Sequence, residues 1–183
     1  MKKDESSFRI APELDDEPIE KMDILRQLKA SNSSGIEEKR IRIVVVVLDK
    51  ALFGIRVFSV REILKVPKMT WLPCAPDYVA GVIAIRGEVQ AIINLKRLLH
   101  AGIGHLTAHS RIILVESGEL TAGLIVDEML DIIELPEQAV LPVLESSRLT
   151  TETFFDGNVN WNGRVISLLN IEAILQGVVV DQV

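Results

Sequence analysis

Aromatic residues are scarce in this 183-residue chain: five Phe, two Trp and one Tyr, 4% in all. Any core it builds is therefore aliphatic, and with 48% hydrophobic residues there is ample Val, Ile and Leu to build one. The same scarcity counts against a stacking platform for single-stranded nucleic acid. Positive charge is short as well. Twenty Lys and Arg against 26 Asp and Glu leave a net charge of −6, the wrong sign for neutralising phosphates. The lone cysteine, Cys74, excludes an internal disulfide, fits a reducing compartment and reads as a small buried hydrophobe. No apolar run approaches the ~20 residues that span a bilayer, so no membrane insertion is expected. Met1-Lys2-Lys3-Asp4-Glu5 leads into no apolar segment, so no signal peptide is expected and a cytoplasmic location is.

Motifs that carry chemistry are missing too. There is no G-x-x-x-x-G-K-[ST] loop and no G-x-S-x-G elbow. Gly102-Ile103-Gly104 lacks the third glycine and the preceding strand of a dinucleotide site. His105 and His109 have metal-like spacing, but Leu106 stands where a zincin needs its glutamate, so a solvated loop is expected. Asp15-Asp16 and Glu37-Glu38 lie in polar sequence and read as solvated acids. No enzyme activity, cofactor or metal is expected.

What is present begins with an acidic extension, residues 1–40. Asp15-Asp16-Glu17-Pro18 is a helix start, Ile19, Met22, Leu25 and Leu28 recur every third residue, and Ser31-Asn32-Ser33-Ser34-Gly35 is a stop. Such a short helix must dock or fray, as a tether on its own domain or as a partner-binding element. From Ile41 the pattern turns to β. Ile41–Leu48 is a nearly continuous β-branched run, followed by runs at 52–57, 58–66 and 68–72. Gly102–Ser110 is a polar connector. Further β runs occupy 111–116, 120–126 and 130–135, then 141–153 reads as a loop. A last hairpin spans 155–161 and 164–169 across Asn162-Gly163, and 171–176 is helical.

The stretch 71–99 is the most informative. Pro73 and Pro76 break regular structure, and Asp77 caps a single helical turn that Gly81 ends. Two apolar runs, 82–85 and 89–95, flank Arg86-Gly87-Glu88, a hairpin signal, and 95–99 is helical. Arg86 is a lone cation between apolar strands. It is either a solvated turn residue or a binding residue presented at a strand end.

The chain also repeats itself. Residues 42–67 align without a gap on 111–136, so that Arg42, Ile43, Gly54, Val57, Ile63 and Pro67 fall on Arg111, Ile112, Gly123, Val126, Ile132 and Pro136. Residues 81–99 align on 157–175, with Gly81, Gly87, Val89 and Asn94 on Gly157, Gly163, Val165 and Asn170. Two copies of a unit of about five strands, near 41–99 and 111–175, predict two small packed β-barrels. Strands exchanged between lobes are compatible with this pattern, so sequence halves need not equal spatial lobes.

The segment Pro73-x-x-Pro76-x-Tyr78-Val79-x-Gly81-Val82-Ile83-x-Ile85-Arg86-Gly87-x-Val89-x-x-Ile92-Ile93-x-Leu95 resembles the signature of the CheW family, with Ala84-Ile85-Arg86-Gly87 in place of the usual Asn-Leu-Arg-Gly. The resemblance runs from about Ile41 to Gln176, with 1–40 as an extension and 177–183 as a tail. It implies an all-β fold of two SH3-like five-stranded barrels with a groove between them and short helices. It implies a non-catalytic adaptor that couples chemoreceptors to a CheA-type histidine kinase in bacterial chemotaxis. The expected partners are the cytoplasmic helical-hairpin tip of a receptor and the kinase regulatory domain, with recruitment to receptor arrays at the membrane. Carried over by position, the receptor contacts are Val60, Glu62, Arg86, Met129 and Ile132, with core packing the alternative for the apolar three. For Glu62 and Arg86 the alternative is that they pair with each other, orienting the arginine. The kinase contact falls on a barrel edge including Ile41, Arg42, Lys65, Met69 and Trp71. A pilus-motility adaptor of the same fold, and a ligand- or oligonucleotide-binding β-barrel, are the alternatives.

Overall fold

The computed structural model describes residues 39–102, 104–142 and 152–180. The helix expected near residues 15–30 therefore lies outside the described residues. The strands are β1 (Arg40–Leu48), β2 (Ala51–Arg56), β3 (Val60–Lys65), β4 (Val79–Ile85), β5 (Glu88–Asn94), β6 (Arg111–Ser117), β7 (Leu120–Val126), β8 (Glu128–Pro136), β9 (Phe155–Trp161) and β10 (Arg164–Leu169). A single helical turn, α1 (Leu95–Leu98), follows β5, and α2 (Ile171–Val180) follows β10.

The strands form two five-stranded sheets, β8-β1-β2-β10-β9 and β3-β6-β7-β5-β4. The two edge strands of each sheet are joined by a bridge. After β3, Thr70 pairs with Val82 of β4; after β8, Leu141 pairs with Asn158 of β9. Each sheet thereby closes into a small barrel. The repeat maps β1–β3 onto β6–β8 and β4–β5 onto β9–β10, so the copies exchange strands. The first barrel takes β1 and β2 from copy one and β8–β10 from copy two. The second takes β3–β5 from copy one and β6–β7 from copy two.

This architecture explains the continuous apolar run at 41–48. Ile43 and Val45 fill the interior of the first barrel, with Leu52, Ile166 and Leu168. Val44, Val46 and Leu48 point the other way, into a core shared with β5, β6, β7 and α2. A strand buried on both faces has no polar side to alternate with. Helix α2 adds Ile171, Ile174, Leu175 and Val178 to that shared core, one apolar stripe at helical spacing. Both helices are capped alike. Asn94 Oδ1 accepts from the Arg97 amide at 3.3 Å, and Asn170 Oδ1 from the Ala173 amide at 2.9 Å.

Several local expectations are corrected. No helical turn forms at Asp77: β4 begins at Val79, and Gly81 lies inside it at φ +145°, where a Cβ would stand 2.5 Å from the Thr70 oxygen. That close approach is the closing bridge, and it is the reason for the glycine. The run 68–72 forms no strand and pairs only at the Thr70 bridge. A 3-10 turn at Val57–Ser59 separates β2 from β3, and α2 continues beyond Gln176 to Val180. Of 141–153, Leu141 pairs with β9 and Glu152–Phe154 is a 3-10 turn, while 143–151 lie outside the described residues. Cys74 is exposed at φ +60°, in the proline-bounded loop where no strand buries it.

Candidate functional site

Arg86 and Gly87 form the two-residue turn between β4 and β5, at φ +50° and +90°. Both values are left-handed, as the twist of a two-residue hairpin requires. The equivalent turn between β9 and β10 is Asn162-Gly163, at +52° and +76°, which is the favoured residue pair for this geometry. An arginine in Asn's place costs strain, and such strain clusters where a side chain has work to do. Its side chain is 68% exposed, and its Nη2 lies 3.3 Å from Oε1 of Glu62, which is only 16% exposed. The Glu62–Arg86 pair, offered by the sequence as the alternative to a partner contact, is therefore present.

Glu62 reaches this place from a bulge. Val60 pairs with Val115 and Glu62 with Leu114, so Arg61 is the extra residue that re-aims its neighbours. Arg61 Nη1 lies 3.5 Å from Glu88 Oε2, and Gln90 Nε2 donates to the same oxygen at 3.2 Å. With Ile85 and Leu114 these polar groups line one small cavity at the turn end of the hairpin.

The other expected receptor residues lie elsewhere on the same frame. Val60 is 1% exposed and belongs to the shared core, so the core-packing alternative describes it. Met129 and Ile132, on β8, are half-buried against that same core, as is Ile63, the counterpart of Ile132. These side chains mark the junction of the barrels. The expected kinase residues are divided. Ile41 packs on the interior of the first barrel, and Arg42 Nε bonds Glu134 Oε2 at 2.7 Å. Met69 packs on the interior of the second, where Lys65 is exposed beside Arg111 and Trp71 is 71% exposed. The two subsets sit on different barrels.

Sequence reading missed Arg61, Glu88 and Gln90. A signal was available in the repeat, because positions 61, 86, 88 and 90 fall on Leu130, Asn162, Arg164 and Ile166. It also missed the clamp at the opposite end of the barrels. Lys96 Nζ pairs with Asp127 Oδ2 at 2.6 Å, and the same oxygen accepts from the Asp49 amide at 2.7 Å. One carboxylate thus ties α1 of the second barrel to the β1–β2 turn of the first.

Comparison with known proteins adds to this geometry. The model of the CheW-like domain matches residues 42–179. The chain is 28% identical over 134 residues to the chemotaxis protein CheW of Bacillus subtilis (strain 168), covering 73% of this chain and 86% of that one. It is 28% identical over 124 residues to the protein FrzA of Myxococcus xanthus, covering 67% and 78%. Among solved structures it is similar to the scaffolding protein TtCheW from Thermoanaerobacter tengcongensis, with a TM-score of 0.70 and 28% identity over 77% of this chain and 91% of that one.

Proposed function

The chain belongs to the CheW-like family, and on that premise we propose that it joins the cytoplasmic helical-hairpin tip of a chemoreceptor to the regulatory domain of a CheA-type histidine kinase. It is an adaptor of chemotaxis signalling, and in this reading it works in the cytoplasm by binding alone, without catalysis. The observation that carries the receptor half is Arg86, exposed on a left-handed turn and steadied by the covered carboxylate of Glu62. A guanidinium held that way offers its remaining donors to an acidic side chain of the receptor tip in bidentate geometry. Half-buried Met129 and Ile132 at the barrel junction supply apolar contact for a helix lying alongside. The kinase half rests on Trp71, a large exposed aromatic on the second barrel, with Lys65 and Met69 near it in sequence. Ile41 and Arg42 belong to the other barrel and contribute to any kinase surface only from that side.

The test is titration of Arg86→Ala against a receptor-tip fragment and, separately, against the kinase regulatory domain. Receptor affinity should fall roughly thirtyfold, the scale of a truncated interface arginine. Kinase affinity should change by less than about threefold. Equal weakening toward both, or a large drop in melting temperature, would show that Arg86 holds the hairpin together and contacts no receptor.

A further inference from the structure

The repeat supplies an internal control for the polar cluster around Arg86. Both copies build the same bulge, with Arg61 as the extra residue in β3 and Leu130 in β8. Both build the same two-residue hairpin. Only the first copy carries the charged quartet: Arg61, Glu62, Arg86 and Glu88 stand where the second has Leu130, Asp131, Asn162 and Arg164. The fold of this corner therefore does not require the quartet. Nor does stability account for it, since ion pairs at 3.3 and 3.5 Å with at least one partner well exposed contribute about 0–1 kcal/mol.

The arrangement is crossed. Two side chains of opposite sign stand outermost at the β4–β5 hairpin, Arg86 at 68% exposure and Glu88 at 62%. Each is backed by an opposite charge from β3, Glu62 behind Arg86 and Arg61 behind Glu88. Glu88 is further steadied by Gln90, a buried residue lining the cavity that donates to the carboxylate oxygen that faces Arg61. A surface carboxylate held from two sides is pre-organised in the same way as the arginine beside it, which lowers the ordering cost of a contact.

We propose that Glu88 is a second receptor-reading residue of opposite sign, taking a lysine or arginine of the partner while Arg86 takes an acid, so that the hairpin reads a pair of opposite charges and fixes the partner's register. Arg61 and Gln90 are its positioning residues. The inference rests on the reading of Arg86 as a receptor contact. Paired opposite charges reject a partner shifted along its axis, because the shift brings like charges together.

The experiment titrates the full chain and its variants against a soluble cytoplasmic-tip fragment of a methyl-accepting receptor from the same organism. The fragment is also prepared with each tip Lys and Arg changed singly to Gln. Glu88→Gln should weaken binding about fivefold, and one basic position of the fragment should show the same loss, with no further loss when the two changes are combined. Arg61→Leu, which installs the residue the second copy already tolerates, should keep the melting temperature and weaken binding by a smaller factor, about twofold. If Arg86→Ala weakens binding while Glu88→Gln stays within about 1.5-fold, or if its loss couples to no basic position, Glu88 is no contact and the inference falls while the receptor reading stands. If Arg86→Ala leaves receptor binding intact, the receptor reading falls and takes the inference with it.

Discussion

At the scale of single residues, Arg86 departs from the local preference of its turn. The turn wants Asn-Gly, and the second copy has it. Arg86→Asn should therefore relieve strain and raise stability by up to about 1 kcal/mol, while losing receptor affinity about as fully as Arg86→Ala does. Denaturant unfolding beside receptor titration checks both halves, and a variant less stable than the parent would show that the Glu62 pair outweighs the turn strain. Glu134 is a second case. Its carboxyl is held below the usual carboxylate range chiefly by the hydrogen bond from Arg42, helped by the charges of Arg42 and Arg40 and opposed by slight burial. A depressed folded-state pKa stabilises above the unfolded value and loses its effect as pH falls through the folded one. Glu134→Gln should thus cost less than about 1 kcal/mol at neutral pH, given the exposure of the pair. Parent and variant should converge in acid, below the lowered value. A difference that persisted there would assign the loss to packing.

At the scale of elements, the β runs, both hairpins and both short helices were legible because hydrophobic period and turn residues agreed. The repeat was legible because its spacing holds over whole strands. What was illegible is tertiary. Nothing local to Lys68–Leu72 says that one residue, Thr70, will bridge to β4, so the run looked like a strand. Nothing local to Gly81 separates a helix stop from a strand glycine under a neighbouring carbonyl. Arg61, Glu88 and Gln90 are ordinary in sequence and become a group only when β3 is folded against the hairpin. The closing bridges lead to a prediction. At Gly157, as at Gly81, a Cβ would stand 2.5 Å from a backbone oxygen, here that of Leu141. Backbone cannot yield as a side-chain tip can, so Gly157→Ala should destabilise by about 1–3 kcal/mol. Hydrogen exchange should show the Asn158 amide, which bonds the Leu141 oxygen at 2.8 Å, among those losing most protection. Unchanged protection there would mean the bridge can shift without cost.

At the scale of the whole molecule, the exchange of strands decides how the parts depend on one another. Two barrels drawn from two sequence halves would unfold one at a time. Here copy one alone holds β1 and β2 of one sheet and β3–β5 of the other, and copy two holds the complements. Neither half contains a closed sheet. The shared core also requires both, since Val44 and Val46 from copy one lie in a cluster with Ile113, Leu124 and the α2 residues from copy two. Unfolding should therefore be one cooperative transition, with the β1–β2 and β6–β7 amides opening at the same free energy under native-state exchange. Cutting the chain in the polar connector, between residues 102 and 109, gives the stronger test. Each fragment alone should lack a cooperative thermal transition, because its edge strands and half of its core face are unpartnered. Mixed in equal amounts, the fragments should recover the β circular-dichroism signal and a single melting step whose midpoint rises with concentration, as association coupled to folding demands. A fragment that melted cooperatively as a monomer would mean that one copy can close a barrel by itself, and that the exchange is a convenience of the joined chain, not a condition of its folding.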